Sequence, residues 1–118
     1  MNETTEFEIP MPHRELLGYV LDKWSLSILN ELCVSPRRFN ELKRMITGIT
    51  QKSLTNTLRK LERSGIVERV IVSTRPIGVE YRITPLGKTI RKPIEGLLAW
   101  AETYFPQIEE AQERFDSL

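Results

Sequence analysis

The sequence has few of the residues on which most reactive sites depend. Among 118 residues there is one cysteine, Cys33, and one histidine, His13. A single cysteine excludes an intramolecular disulfide framework and a cysteine-based zinc site. One histidine leaves little for metal binding or acid–base chemistry, and the sequence shows no glycine-rich phosphate loop and no clustered carboxylates. We therefore predict a protein that is not an enzyme and that uses no metal or cofactor.

Long hydrophobic runs are also missing. The apolar stretches are too short to span a membrane, and no apolar segment follows the start as it would in a signal peptide. The chain is therefore expected to be soluble and cytoplasmic, with no membrane partner. Its length fits one domain with one modest core, over residues 11–118, preceded by a flexible arm over residues 1–10.

Charge is nearly balanced overall but unevenly distributed. The formal net charge is +1, yet residues 36–75 carry ten Lys or Arg and three acids, a local charge of +7. The remainder carries −6, much of it near the two ends. A basic middle favours a surface that binds a polyanion, although the same charges also fit ordinary solvated helix faces.

Apolar periodicity and capping residues predict four helices in the first half of the chain. Two of them occupy residues 11–35, with Asp22 at their junction. Ser35 is the predicted N-cap of the third helix, which puts Pro36 at its first helical position. Thr50 is the predicted N-cap of the fourth helix, and Gly48 permits the tight connection before it because glycine tolerates positive φ.

The pattern changes from helical to alternating after the fourth helix. Residues 66–84 contain two β-branched or alternating runs around a Pro/Gly turn, which predicts a β-hairpin. Thr84 as an N-cap and a proline behind it then predict a new helix start. An apolar helical stripe follows over residues 86–108, which Pro93 and Pro106 are expected to kink or split.

The fourth helix, over residues 50–64, carries its apolar side chains on one narrow stripe. Leu54, Leu58 and Leu61 form the stripe, and no acid occurs over residues 50–60. A solvated amphipathic helix is the alternative, but an ordinary surface helix would include acids that form i,i+4 ion pairs. Arg, Asn, Gln, Ser and Thr are side chains that bind base edges in the major groove. The predicted base-reading residues are Gln51, Lys52, Ser53, Thr55, Asn56 and Arg59.

The third and fourth helices form a helix-turn-helix over residues 36–64, and the hairpin behind them forms a wing. An arginine on a protruding hairpin can enter a narrow minor groove, with a simple exposed turn arginine as the alternative. Free N–H groups at the start of the third helix favour a phosphate. The predicted backbone and wing contacts are Arg37, Arg38, Lys60, Arg63 and Arg75.

Three motifs in this order, DKWSLSILNEL, SPRRFNELKRMITGITQKSLTNTLRKLERSGIVER and VEYRITPLG, resemble the HxlR-type winged helix-turn-helix transcriptional regulators of bacteria and archaea. The resemblance covers roughly residues 11–104. It implies an α+β, mainly helical, winged helix-turn-helix fold with added N- and C-terminal dimerisation helices. It also implies a homodimeric DNA-binding repressor or activator, with residues 50–64 as the recognition helix and residues 75–78 at the wing.

Two departures from the family pattern bear on function. Many members carry a Cys-Pro pair before the first helix, and in some of them that cysteine senses oxidants or thiol-reactive electrophiles. The matching pair here is Met11-Pro12, so that sensing route is expected to be absent. Members also often have a Gly pair where this chain has Leu21-Asp22, so the bend between the first two helices is expected to differ.

Residues 11–35 and 85–118 supply the predicted dimerisation helices. The C-terminal stripe offers more apolar surface than so small a body covers, so a partner helix is expected. Trp24 and Trp100 are expected to anchor the core and the dimer interface, with ligand stacking as the alternative. The predicted interface residues are Leu16, Leu17, Ile94, Leu97, Leu98, Trp100, Ala101, Tyr104 and Phe105.

Cys33 lies on the same predicted helix as Ile28, Leu29 and Leu32. Buried free cysteine behaves as a small hydrophobe, so core packing is expected, with a redox sensor as the alternative. His13, close to the start of the chain, is expected at the surface.

The sequence as a whole predicts a sequence-specific, double-stranded DNA-binding transcriptional regulator, more simply a repressor than an activator. Two-fold symmetry predicts a roughly palindromic operator, with half-sites about one helical turn or a multiple apart. A small-molecule effector is compatible with the sequence, which identifies none. The alternative is a winged-helix module for protein–protein contacts without specific DNA binding, which would not need the +7 of residues 36–75.

Overall fold

The computed structural model describes residues 8–118. Residues 8–10 have no regular secondary structure, and the rest of the predicted arm, residues 1–7, lies outside the described residues. The α+β, mainly helical fold is confirmed. The elements are α1 (Met11–Val20), α2 (Lys23–Val34), β1 (Arg37–Arg38), α3 (Phe39–Met45), α4 (Gln51–Arg63), β2 (Val67–Thr74), β3 (Ile77–Ile83), α5 (Pro85–Lys88) and α6 (Arg91–Asp116).

Three helices begin at side-chain caps, and the predicted N-caps Thr50 and Thr84 are thereby confirmed. The carboxylate of Asp22 accepts a hydrogen bond from the backbone N–H of Trp24 at 2.9 Å. The hydroxyl of Thr50 accepts from Ser53 N at 3.0 Å, and that of Thr84 accepts from the third residue after it at 2.9 Å. Each cap satisfies an N–H group that has no partner within its own helix.

The predicted start of the third helix is wrong. Ser35–Pro36 do not begin it, because the next two residues, Arg37–Arg38, form strand β1 and pair with β3. The helix α3 begins at Phe39, and the backbone N–H of the residue before it donates to Glu41 Oε1 at 2.7 Å. The Ser-Pro capping signal is local, whereas β1 depends on pairing with a strand far along the chain. The pairing of β1 with β3 therefore overrides the local preference for a helix start at Ser35–Pro36.

The sheet has the strand order β1-β3-β2 and is antiparallel throughout. Ile71 lies opposite Val79, but the next pair is Ser73 with Gly78, so Val72 is an extra residue in a β-bulge. Because side chains alternate between the two faces of a strand, the bulge turns Ser73 onto the same face as Gly78.

The core lies between α2, α3, α4 and the base of the hairpin. The predicted leucine stripe of α4 is buried as expected, and Gly48 in the turn before α4 has a φ of 84°. The buried apolar residues are Val20, Ile28, Leu29, Leu32, Leu42, Ile46, Ile49, Leu54, Leu58, Leu61, Ile66 and Val67.

The C-terminal stripe is split, because α5 ends at Lys88 and α6 begins at Arg91. Pro93 is in the first turn of α6, and its ring would clash with the carbonyl of residue 89 if the helix were continuous. Pro106 lies inside α6, which continues to Asp116. Although α6 has 26 residues, no helix of residues 8–118 is long and apolar enough to cross a membrane.

The expected core packing of Cys33 is wrong, because its side chain is exposed. Leu29, one turn earlier on the same side of α2, is buried, but Val34 beside the cysteine is 72% exposed. The last turn of α2 is therefore covered on the side of Leu32 and open on the side of Cys33 and Val34.

Candidate nucleic-acid interface

The helix α4 presents its polar face to solvent. Its leucine stripe rests on the core, and this fixes the direction in which the other side chains point. Among the predicted base-reading residues, Ser53 and Thr55 are half-buried on the two flanks of the helix. The remaining four are exposed: Gln51, Lys52, Asn56 and Arg59. The predicted set therefore occupies one continuous side of α4, centred opposite the core.

The end of α4 is also positively charged. Lys60 and Arg63 lie in its last turn and are exposed, and the first turn contains no acid. The single acid of the helix, Glu62, is half-buried and reaches Arg69 on β2, with 3.8 Å between Oε2 and Nε. That carboxylate is thus directed to the hairpin and leaves the exposed face of α4 without a negative group.

The arginines fall into two groups according to their ion pairs. In the described part of the chain, six arginines have no carboxylate within ion-pair distance: Arg14, Arg38, Arg44, Arg59, Arg63 and Arg75. Four of these six are on β1, on α4 and at the tip of the hairpin, and the other two are on α1 and α3. The arginines that do form ion pairs are Arg37, Arg69, Arg82, Arg91 and Arg114.

The two adjacent arginines of β1 have different surroundings. Arg37 turns back to α2, where its Nη2 lies 3.8 Å from Glu31 Oε1 and its side chain is only 19% exposed. Arg38 is exposed. Neighbouring side chains of a strand point to opposite faces, so β1 directs its two arginines to opposite sides of the sheet. The predicted helix start would have placed them side by side. Arg38 is consequently the better placed of the two for an external anion.

The wing is the β2–β3 hairpin, and its tip is the Arg75-Pro76 pair. Both residues of the tip are exposed. The hydroxyl of Ser73 donates to the carbonyl of Pro76 at 2.7 Å and thereby holds the turn together. This arrangement places Arg75 in the exposed turn at the end of the hairpin.

A second surface, on α1 and α6, is apolar. Leu16 and Leu17 of α1 line a groove of about 300 Å³ together with Leu86, Ile90 and Pro93. No residue of α6 is fully buried, and the rings of Trp100 and Tyr104 pack on each other with centroids 6.2 Å apart. Of the other predicted interface residues, Ile94 and Ala101 are half-buried, and the exposed ones are Leu97, Leu98 and Phe105.

Some residues of these two surfaces escape sequence reasoning. Leu86 is 59% exposed and Phe115 is 74% exposed, so both extend the apolar surface. Gly78, which the sequence pattern assigns to the Pro/Gly turn, is instead a buried residue of strand β3. In residues 8–118, no three His, Cys, Asp or Glu side chains converge as a metal site would require.

A short helix, a tight turn, an exposed basic helix and a β-hairpin, in this order, define a winged helix-turn-helix protein. The chain belongs to the HxlR-like helix-turn-helix family, whose pattern it matches over residues 19–109. Transcriptional regulators of this class are not enzymes.

Relatives and solved structures agree with this family. The chain is 33% identical over 108 residues to the HTH-type transcriptional regulator YtfH of Escherichia coli K12, which covers 92% of this chain and 86% of that protein. It is 40% identical over 94 residues to YkvN of Bacillus subtilis, with 80% and 77% coverage. The structure of the transcriptional regulator ytfH from Salmonella typhimurium superimposes with a TM-score of 0.77 at 34% identity, over 94% of this chain and 99% of that chain.

Proposed function

We propose that this transcriptional regulator is a homodimer that binds a specific double-stranded DNA operator and represses transcription. In this proposal α4 enters the major groove and the wing contacts the minor groove or the adjacent backbone. The main support for this proposal is the outer face of α4, which has exposed amide and cationic side chains and no acidic one. A helix that only faces solvent does not need this combination of side chains. Their hydrogen-bond donors and acceptors match those of the base edges in the major groove.

The residues of α4 have distinct roles in this proposal. Gln51 and Asn56 can bind adenine through N6 and N7, and Arg59 can bind guanine through O6 and N7. Lys52, Ser53 and Thr55 add hydrogen bonds near the start of the helix, where recognition helices reach base edges. The phosphate contacts, which set orientation and most of the salt dependence, come from Lys60, Arg63, Arg38 and Arg75.

The homodimer is supported by the apolar surface of α1 and α6. Large apolar side chains on α6, such as Leu97, Trp100 and Phe105, are each more than half exposed in the single chain. A second copy of the chain related by a two-fold axis would cover them, because the same patch then meets itself. The two copies of α4 would then face half-sites about one helical turn or a multiple apart, on a roughly palindromic operator.

Repression follows most simply from a dimer that occupies DNA needed by RNA polymerase. We place this action in the cytoplasm, where the regulator would meet its DNA. A winged helix can also serve as a protein-docking module without specific DNA binding. The unpaired cations on α4 and the wing argue against that use, because a protein interface desolvates charges at a cost unless they are paired.

Fluorescence anisotropy tests the proposed function on the intergenic DNA upstream of the gene that encodes this protein. A scrambled duplex of equal length is the control, and both duplexes are measured at two salt concentrations. We expect the intergenic duplex to bind about 10³-fold more tightly or better. Equal, steeply salt-dependent binding to both duplexes would show that the operator lies elsewhere or that an effector is required. No binding to either duplex at low salt would contradict the proposal and favour the protein-docking module.

A further inference from the structure

Gly78 of the wing lies directly beneath the guanidinium group of Arg38. A Cβ atom at position 78 would be 3.2 Å from each of the two terminal nitrogens of Arg38. It would also be 2.6 Å from Ser73 Oγ, although Gly78 itself is buried on an otherwise open hairpin. Real side chains do not tolerate such a distance to the hydroxyl without a shift. The absence of a side chain at this position therefore makes room for the Arg38 guanidinium.

The register of the sheet explains how these groups meet. Arg38 is paired with Glu80 of β3, so both side chains point to the same face, and Gly78 follows on that face two residues away. A long side chain can reach such a diagonal neighbour. From the other side, the bulge at Val72 brings Ser73 opposite the glycine. Three strands thus contribute to one small seat for the arginine.

The charge of Arg38 is not neutralised at this seat. Glu80, its direct neighbour, lies instead 3.7 Å from Arg82, between Oε1 and Nη2. The Ser73 hydroxyl is also engaged, because it donates to the carbonyl of Pro76. Among the residues described, no carboxylate is within ion-pair distance of Arg38. The guanidinium therefore lies close over Gly78 and keeps its hydrogen-bond donors for an external partner.

We propose that Gly78 is a positioning residue that seats Arg38 on the wing as a binding group for a DNA backbone phosphate. This inference rests on the proposed function and adds a mechanism to it. Arg38 then acts with the wing and not with the start of α3, since its guanidinium lies over Gly78 of β3. Gly78 is two residues from Pro76, roughly 7 Å along the strand, which is close to the width of the minor groove, about 6 Å. Arg75 at the tip can therefore reach the groove, and Arg38 behind it can reach the flanking backbone.

The test is a set of variants built on Ser73→Ala, which removes the hydroxyl nearest to a Cβ at position 78 and leaves Arg38 as the closest neighbour. On this background we compare Gly78→Ala, Arg38→Gln and the two combined. Gly96→Ala on the same background is the matched control, because a Cβ at position 96 meets nothing within 4 Å. The readouts are the affinity for the operator duplex, the slope of its logarithm against the logarithm of salt concentration, and the melting temperature.

Arg38→Gln and Gly78→Ala are each expected to lower the magnitude of the salt slope by about one and to weaken binding to operator and scrambled duplexes by the same factor. The combined variant is expected to bind like either single variant, because both changes remove the same phosphate contact. An unchanged slope in Gly78→Ala, or losses that add in the combined variant, would overturn the positioning role. If the unmodified protein itself shows no salt-dependent binding to either duplex, the proposed function fails, and this inference fails with it.

A second measurement does not depend on the folding of the Gly78 variants. The ¹⁵N relaxation of the Arg38 Nε–Hε group in the unmodified protein reports whether its guanidinium is held. We expect a clearly higher order parameter for Arg38 than for Arg63, which is exposed and has no acid partner in the described residues. Equal order parameters for the two arginines would mean that no seat exists.

Discussion

The hydroxyl groups of Tyr19 and Ser64 lie 2.5 Å apart and form a hydrogen bond between the end of α1 and the residue that ends α4. The two residues are 45 positions apart in the sequence, and the contact is partly shielded from water. In addition, the hydroxyl of Ser25 donates to the backbone carbonyl of Tyr19. The last turn of α1 is thereby attached both to α2 and to α4, so the apolar surface of α1 and the basic face of α4 have a fixed relation.

Replacing Tyr19 with phenylalanine removes this hydrogen bond and keeps the ring. We expect the free energy of unfolding to fall by about 0.5–1.5 kcal/mol, because Ser64 loses its partner in a partly shielded place. Chemical denaturation measures the change. Tyr81→Phe is the control, since Tyr81 is also half-buried but its hydroxyl has no hydrogen bond to the part of the protein described. Equal losses in the two variants would show that the Tyr19–Ser64 contact contributes nothing of its own.

Gly87 explains why the helix α5 can lie against the base of the wing. A Cβ there would overlap the carbonyl oxygen of Ile66 and lie 2.8 Å from Cγ1 of Ile83. We expect Gly87→Ala to lower the free energy of unfolding by about 1–3 kcal/mol through overpacking. Gly18→Ala, in a helix with open space around the new Cβ, should instead raise it by about 0.5–1 kcal/mol. Thermal melts of the two variants check this, and melting temperatures that shift in the same direction would contradict it.

Asn56 is exposed on the part of α4 that is proposed to read bases. Asn56→Ala should cost about 1–3 kcal/mol of binding free energy on the operator and relax the preference at one base position. Anisotropy titrations against a panel of single-base operator variants measure both effects. Arg63→Ala provides the contrast, because a phosphate contact weakens binding to every sequence alike. If Asn56→Ala also weakens all duplexes equally, the residue does not read a base.

Arg75 and Arg69 are both on the β2–β3 hairpin, but only Arg69 has an acid partner, Glu62. Arg75→Ala is expected to reduce the magnitude of the salt slope of binding by about one, as the loss of one phosphate contact requires. Arg69→Ala should change the slope less, because its charge is already partly compensated. Titrations at several salt concentrations compare them, and an unchanged slope for Arg75→Ala would argue against a wing contact with DNA.

Leu97 is half exposed on α6 within the proposed dimer interface. Leu97→Asp should dissociate the dimer, because a charge would have to be buried without a partner. Ala99→Asp introduces the same charge two residues later, about 160° around the helix, and should leave the dimer intact. Sedimentation velocity distinguishes the two. A dimer that survives Leu97→Asp would place the interface elsewhere.

The sequence is sufficient for those parts of the fold that depend on neighbouring residues. The caps Asp22, Thr50 and Thr84 act within three residues of themselves, and the leucine stripe of α4 depends only on helical spacing. The candidate site on α4 can therefore be predicted from the sequence, since a helix with one buried stripe has one outer face.

Features that depend on distant partners cannot be predicted in the same way. The strand β1 exists only because β3 comes alongside, so local signals place its two arginines in a helix and do not indicate their opposite directions. Cys33 shares a helical face with the buried Leu29, yet it is exposed, because in the last turn of α2 only the side of Leu32 is covered. The seat of Arg38 combines three strands and a bulge, which no local pattern reveals.

The helix α6 has no fully buried residue along its 26 positions, a length of about 39 Å. A helix in that situation draws little stability from its own chain, and most helices of globular proteins depend on tertiary packing. If the partner chain supplies that packing, the folding of the C-terminal part of the chain is coupled to dimer formation and therefore depends on protein concentration. The melting temperature then rises with protein concentration, and dilution in a cell that makes few copies reduces the fraction of complete regulators.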